Sequence, residues 1–115
     1  MIVHFASKDE WDAAKEAGSY APAKLEQFGY VHCSYPAQAT DVANELFADR
    51  DDVVLLWIDP AKVRSAIIYE RPKGEDLGEL YPHIYGPVDL AAVVAAQKLR
   101  PWARGKFVLP REPSA

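Results

Sequence analysis

Six consecutive residues, Val53-Val54-Leu55-Leu56-Trp57-Ile58, form an uninterrupted β-prone apolar run. Neighbouring side chains of a strand point to opposite faces. A strand built from this run is therefore apolar above and below, which predicts a central strand covered on both sides. Asp59-Pro60 ends it.

The flanking sequence supplies the covering elements. Ile2 to Ala6 is β-prone, and Ser7-Lys8-Asp9-Glu10 has the spacing of a capping box, in which hydroxyl and carboxylate each close a free backbone N–H. Trp11 and Ala14 follow at helical spacing and Gly18 supplies a stop, so a helix is predicted over Lys8 to Ala17. Ser19 to Phe28 is expected to be a connector, because Ala21-Pro22-Ala23 argues against regular structure. Gly29 to Ser34 is strand-like, with Tyr30, His32 and Ser34 on one face and Val31 and Cys33 on the other. Pro36 suits the first turn of a second helix, whose apolar residues Ala39, Val42, Ala43, Leu46 and Phe47 recur with period 3.6 before the run Asp49-Arg50-Asp51-Asp52.

Further along, Ala66 to Glu70 reads as a strand and Arg71 to Leu80 as a polar loop. Tyr81 to Pro87 is expected to be irregular, since its two prolines oppose a long regular element. Leu90 to Leu99 fits a helix or a turn leading into a strand at Val93, of which the turn and strand are favoured, and Trp102 to Leu109 reads as a last edge strand. The expectation is one α+β domain over residues 1–109 with a flexible tail over 110–115.

Composition narrows the function classes. A single cysteine, Cys33, rules out an internal disulfide, and a net charge of −4 with a pI near 5.3 lacks the cationic surplus of a phosphate-backbone binder. The start Met-Ile-Val-His-Phe has no basic region, and the longest apolar runs are too short to span a bilayer. A cytoplasmic protein is expected, monomeric or weakly dimeric, without a membrane or bulk nucleic acid as partner.

Three histidines, His4, His32 and His83, stand out as chemistry-bearing groups. Their separations carry no metal-ligand spacing, so no metal is expected. Cys33 adjoins His32 but points to the opposite strand face, and reads as a small core residue. No nucleophile elbow, dinucleotide fingerprint or phosphate loop is present. His32 shares its face with Tyr30 and Ser34, and His83 sits between Pro82 and Tyr85 in an aromatic segment. Convergence of the three histidine segments on one small-molecule pocket is therefore expected. Glu70 is the best carboxylate candidate, although it also reads as a solvated strand-end acid.

The series His4-x-x-Ser7, Trp11-x-x-Ala14, Gly18-x-Tyr20, Gly29-Tyr30-Val31-His32-Cys33-Ser34, Gln38, Ile58-Asp59-Pro60, Tyr69-Glu70 and Tyr81-Pro82-His83-Ile84-Tyr85-Gly86-Pro87 resembles the small bacterial family known as domain of unknown function 952. That family looks like a compact ADP-ribosyltransferase fold, with split β-sheets and two main helices packed on them around a nicotinamide-dinucleotide cleft. The amino-terminal half is also similar to the RNA 2′-phosphotransferase branch, whose strand reads Arg-x-His-Val-His-Leu-Ser.

The resemblance implies that His4, Ser7, Tyr20, Tyr30, His32, Ser34 and Tyr85 bind a cofactor such as NAD. It leaves Glu70 or His83 as the catalytic acid or base of an ADP-ribosyl or glycosyl transfer. Phe28 stands where that branch has its arginine, and Tyr30 replaces its first strand histidine, so 2′-phosphotransfer is not expected. The alternatives are a non-catalytic binding module that kept the cleft and lost the chemistry, and an unrelated hydrolase or isomerase using the histidines on another substrate.

Overall fold

Val53–Ile58 forms a strand in which all six residues are buried. In this computed structural model, which describes residues 1–72, 74–100 and 107–113, it is β4 and lies between two antiparallel neighbours. One is β1 (Ile2–Ser7), registered Ile2 to Ile58, and the other is β8 (Val93–Leu99).

The alternation of β4 divides the core in two. Val54, Leu56 and Ile58 join one cluster with Tyr20, Val31, Cys33 and Ile84, while Val53, Leu55 and Trp57 join another with Phe5, Ala39 and Phe107. Each fully buried aliphatic side chain contributes roughly 1.5–3 kcal/mol, which is why this run organises the domain.

Helix α1 (Lys8–Ala17) begins at Ser7, whose hydroxyl accepts the Glu10 backbone N–H, and ends on Gly18 at φ +86°. The capping box is only half formed. Glu10 accepts the Ser7 hydroxyl at 3.2 Å and the Ala23 backbone N–H at 3.3 Å, so its carboxylate ties α1 to the next helix.

The segment expected to be a connector is regular instead: β2 (Ser19–Tyr20), then α2 (Ala23–Phe28). Pro22 stands at the N-cap, where a missing N–H costs nothing, and Ala-Lys-Leu-Glu-Gln are good helix formers. The domain is thus α+β, with three α-helices among the described residues rather than two. The third, α3 (Pro36–Leu46), packs Ala39, Val42 and Ala43 inward and leaves Leu46 exposed, against the expectation from periodicity.

A separate sheet holds β3 (Val31–His32), β6 (Tyr81–Tyr85) and β5 (Ala66–Glu70), in that order and all antiparallel. Here Tyr81 to Tyr85 corrects the expectation of irregular backbone, because it is the middle strand despite Pro82. The Pro82 carbonyl accepts the Cys33 N–H at 2.9 Å, so its nitrogen faces the same way. The missing donor falls where β3 runs out, and the β5 side loses nothing.

A two-stranded ladder joins β2 to β7 (Val88–Asp89), and a short 3-10 turn at Leu90–Ala92 leads into β8 as expected. Of the expected strand over Trp102 to Leu109, residues 102–106 lie outside the described residues. Residues 107–109 are irregular, with Phe107 buried and bonded to the Asn44 side chain through its backbone N–H and C=O. The tail expected over 110–115 is described to Pro113 and has no regular structure there.

Candidate functional site

The β3–β6–β5 sheet has two unlike faces. Val31, Cys33 and Ile84 look into the core, and alternation puts Tyr30, His32, Tyr81, His83, Tyr85 and Glu70 on the other face. His32 lies directly opposite His83. Because Cys33 and Pro82 share a backbone hydrogen bond, the adjacent His32–His83 pair is of the non-hydrogen-bonded type, in which side chains approach most closely.

The result is a continuous polar chain. His32 Nδ1 lies 3.0 Å from His83 Nε2, and His83 Nδ1 lies 3.0 Å from Glu70 Oε1, which also accepts the Tyr85 hydroxyl. His83 is fully buried, and the Tyr30 ring lies flat on it, 3.9 Å away at an interplanar angle of 2°.

Proton positions follow from these partners. The Tyr85 hydroxyl, then the His83 ring, hold the Glu70 carboxyl below its usual range, so it is an acceptor only. The Tyr85 hydroxyl is pushed up to about 12 by the same contact and keeps its proton. His83 therefore carries its proton on Nδ1 and, when neutral, accepts at Nε2. His32 must then donate from Nδ1, which leaves the lone pair on Nε2. Burial, followed by the neighbouring His83, His4 and Lys24, lowers His32 to about 4, so its ring is neutral at physiological pH.

His4 is held differently. Its Nδ1 donates to the His32 carbonyl at 2.7 Å, and its Nε2 accepts the Tyr20 hydroxyl at 2.7 Å. Burial lowers the His4 pKa and raises that of Tyr20, so both stay neutral. With both ring nitrogens engaged, His4 fixes the backbone that carries His32.

A cleft of about 630 Å³ opens beside this chain. One wall is the carboxyl-terminal part of α3 with Val42, Glu45 and Leu46, and the other is α2 and β3 with Lys24, Phe28 and His32. Of the residues singled out in the sequence, His4, Ser7, Tyr20, Tyr30 and His32 line the cleft. Ser34 is buried behind it and bonded through its backbone to Val3, and Ser7 Oγ is taken up by Glu10. Glu70, His83 and Tyr85 form the outer arm, with Glu70 33% and Tyr85 39% exposed.

Among the described residues no three His, Cys, Asp or Glu side chains converge as a metal set. No helix among them is long and apolar enough to cross a membrane. Cys33 is buried and its thiol is pushed well up by burial, which makes it unreactive.

The sequence reading missed Lys24, Glu45 and Tyr81, whose ring centroid lies 4.9 Å from that of His32. Lys24 was hidden by treating its segment as a connector. Pro22 before five helix formers and Gly29 after them was the available signal.

The profile of the family described as protein of unknown function DUF952 matches residues 5–96. The chain belongs to this family. The crystal structure of protein CC0527 from Caulobacter crescentus is similar over 93% of this chain and 92% of that one, with 29% identity and a TM-score of 0.81. Its solution NMR structure aligns over 91% and 89% with a TM-score of 0.73. No curated protein matches the chain.

Proposed function

We propose that this DUF952 protein is an acid–base enzyme acting on a small molecule in the cleft, with His32 Nε2 as the proton acceptor. The observation that carries this reading is the ordered contact His32–His83–Glu70, with its neutral end at the cleft and its anionic end near solvent. A proton taken by His32 Nε2 puts positive charge on the ring. Nδ1–H then passes to His83 Nε2, and the charge comes to rest beside the Glu70 carboxylate. Charge is stabilised where it develops, by groups already oriented.

Hydrolysis of p-nitrophenyl acetate tests the reading without knowledge of the natural substrate. The rate should rise through pH about 4 with His32, well below an ordinary imidazole. It should fall to the uncatalysed level in His32→Gln and drop substantially in His83→Gln. A wild-type rate equal to that of His32→Gln would sink the proposal.

A second reading keeps the ADP-ribosyltransferase-like fold and a nicotinamide dinucleotide as ligand. It is favoured by the Phe28 and Tyr30 rings on the cleft wall, stacked with centroids 6.4 Å apart, which could receive a planar group. In that reading His32 works on the ribose, whereas His4 and Ser7 support the wall. Calorimetric titration with NAD, followed for nicotinamide release, tests it. Absence of binding at millimolar cofactor would remove it.

A further inference from the structure

The charges that line the cleft are not equivalent. Arg50 is tied to Asp52 through two hydrogen bonds of 2.8 and 2.7 Å, and Glu10 is occupied by the Ser7 hydroxyl and the Ala23 N–H. Lys24, Glu45 and Glu75 also line the cleft, and among the described residues none of their side chains forms a hydrogen bond or ion pair. Lys24 is on the α2 wall and Glu45 on the facing α3 wall, while Glu75 comes from the loop before β6.

The two signs come from different elements of the site. At His32 the positive charge of Lys24 acts after burial and the two neighbouring histidines, whereas at His4 the Glu10 carboxylate acts ahead of Lys24. At Tyr81, after burial, the negative charges of Glu79, Glu45, Glu75 and Asp41 act together to raise the hydroxyl pKa. His32 and Tyr81 rings lie in contact, so residues of both signs lining the cleft act within one pair of rings. Exposed Leu46 and Phe28, one from each wall, give the cleft an apolar rim.

We infer that the cleft takes a dipolar small molecule, an amino-acid-like zwitterion whose anionic group meets Lys24, whose ammonium meets Glu45 and Glu75, and whose middle lies against His32. An anion alone would leave two carboxylates desolvated and unpaired, and a cation alone would leave Lys24 so. A ligand bearing both charges is preferred because it compensates both ends at once. The inference rests on the acid–base reading only for which bond is worked on. The charge pattern stands by itself.

The test uses ω-amino acids of increasing length, each compared with the carboxylate and the amine of the same length. Binding is followed by the ring resonances of His32 and by backbone amide shifts of the ¹⁵N-labelled chain. One length of amino acid should bind at least about tenfold more tightly than either singly charged partner and shift the His32 ring. Lys24→Ala should reduce its affinity to that of the amine. Glu45→Gln combined with Glu75→Gln should reduce it to that of the carboxylate.

All three positions have exposed or half-exposed side chains, so the variants should fold. Equal affinity of the three probe types at every length, or variants without effect, would overturn the inference. His32→Gln separates it from the catalytic reading. Retained zwitterion preference in that variant supports the dipolar cleft whatever the esterase assay returns, and loss of the preference overturns it.

Discussion

The contact between His83 and Glu70 can be measured by a double-mutant cycle. Glu70→Gln keeps the shape and an acceptor oxygen but removes the charge. Hydrogen bonds to charged groups contribute ~1.5–3 kcal/mol, and because Glu70 is 33% exposed the loss should sit near the lower end. His83→Phe keeps the ring volume and the stack on Tyr30, so no cavity term enters. It breaks the contacts to both Glu70 and His32 and leaves His32 Nδ1–H unpartnered, for a cost of roughly 2–3 kcal/mol.

Because the two side chains meet at 3.0 Å, charge removal at position 70 should matter much less once the imidazole is gone. The coupling energy should be on the order of 1 kcal/mol. Urea unfolding followed by tryptophan fluorescence reads all four proteins, with Trp57 buried beside the core as reporter. Unchanged slopes would keep the comparison two-state. Effects that simply add, to within about 0.5 kcal/mol, would refute the relay as an energetic unit.

Stability should fall with acid in a defined window. His32 has a folded pKa near 4 against 6.5 unfolded, so the unfolded chain binds the proton first. The stabilisation is whole above pH about 6.5 and lost as pH falls towards 4, by on the order of 2 kcal/mol once its partly open edge is allowed for. NMR titration should place the His32 midpoint near 4, and a midpoint near 6.5 would contradict the burial argument. Gly86 has φ +156°, and a Cβ there would lie 2.5 Å from Ser65 Oγ, a hydroxyl already bonded to the Pro87 carbonyl at 2.8 Å. Gly86→Ala should cost about 2 kcal/mol or more, and adding Ser65→Gly should recover part of it; no recovery in the thermal midpoint would locate the strain elsewhere. The Cys33 thiol should resist a disulfide reagent in the folded protein and react on unfolding in urea; rapid native labelling would contradict its burial.

Elements whose sequence satisfied several local rules at once were legible. The helix after Ser7, the buried run at Val53 and the turn into Val93 all formed as read. Two of the failures came through proline. Pro22 and Pro82 were both read as breakers, yet one stands at a helix start and the other at a strand position whose absent donor has little left to pair with. The polar face of Tyr30 and His32 was visible from alternation alone. Its partners were not, because the His32–His83 register is a long-range pairing that no local spacing encodes. Lys24 and Glu45 come to line one cleft only in the folded chain, from α2 and from α3.

Pro82 also makes the site single-valued. Sliding β6 by one residue along β3 would turn His83 inward beside Val31 and Cys33, strand an imidazole in an apolar core and expel Ile84 from it. Sliding it by two towards the body of the strand pair would set a nitrogen without hydrogen in the middle of the ladder. Each slip is penalised on a different ground, one by desolvation and the other by a lost backbone bond. The residue that looks least suited to a sheet thus works as a register lock, and the imidazole pair exists only where it allows.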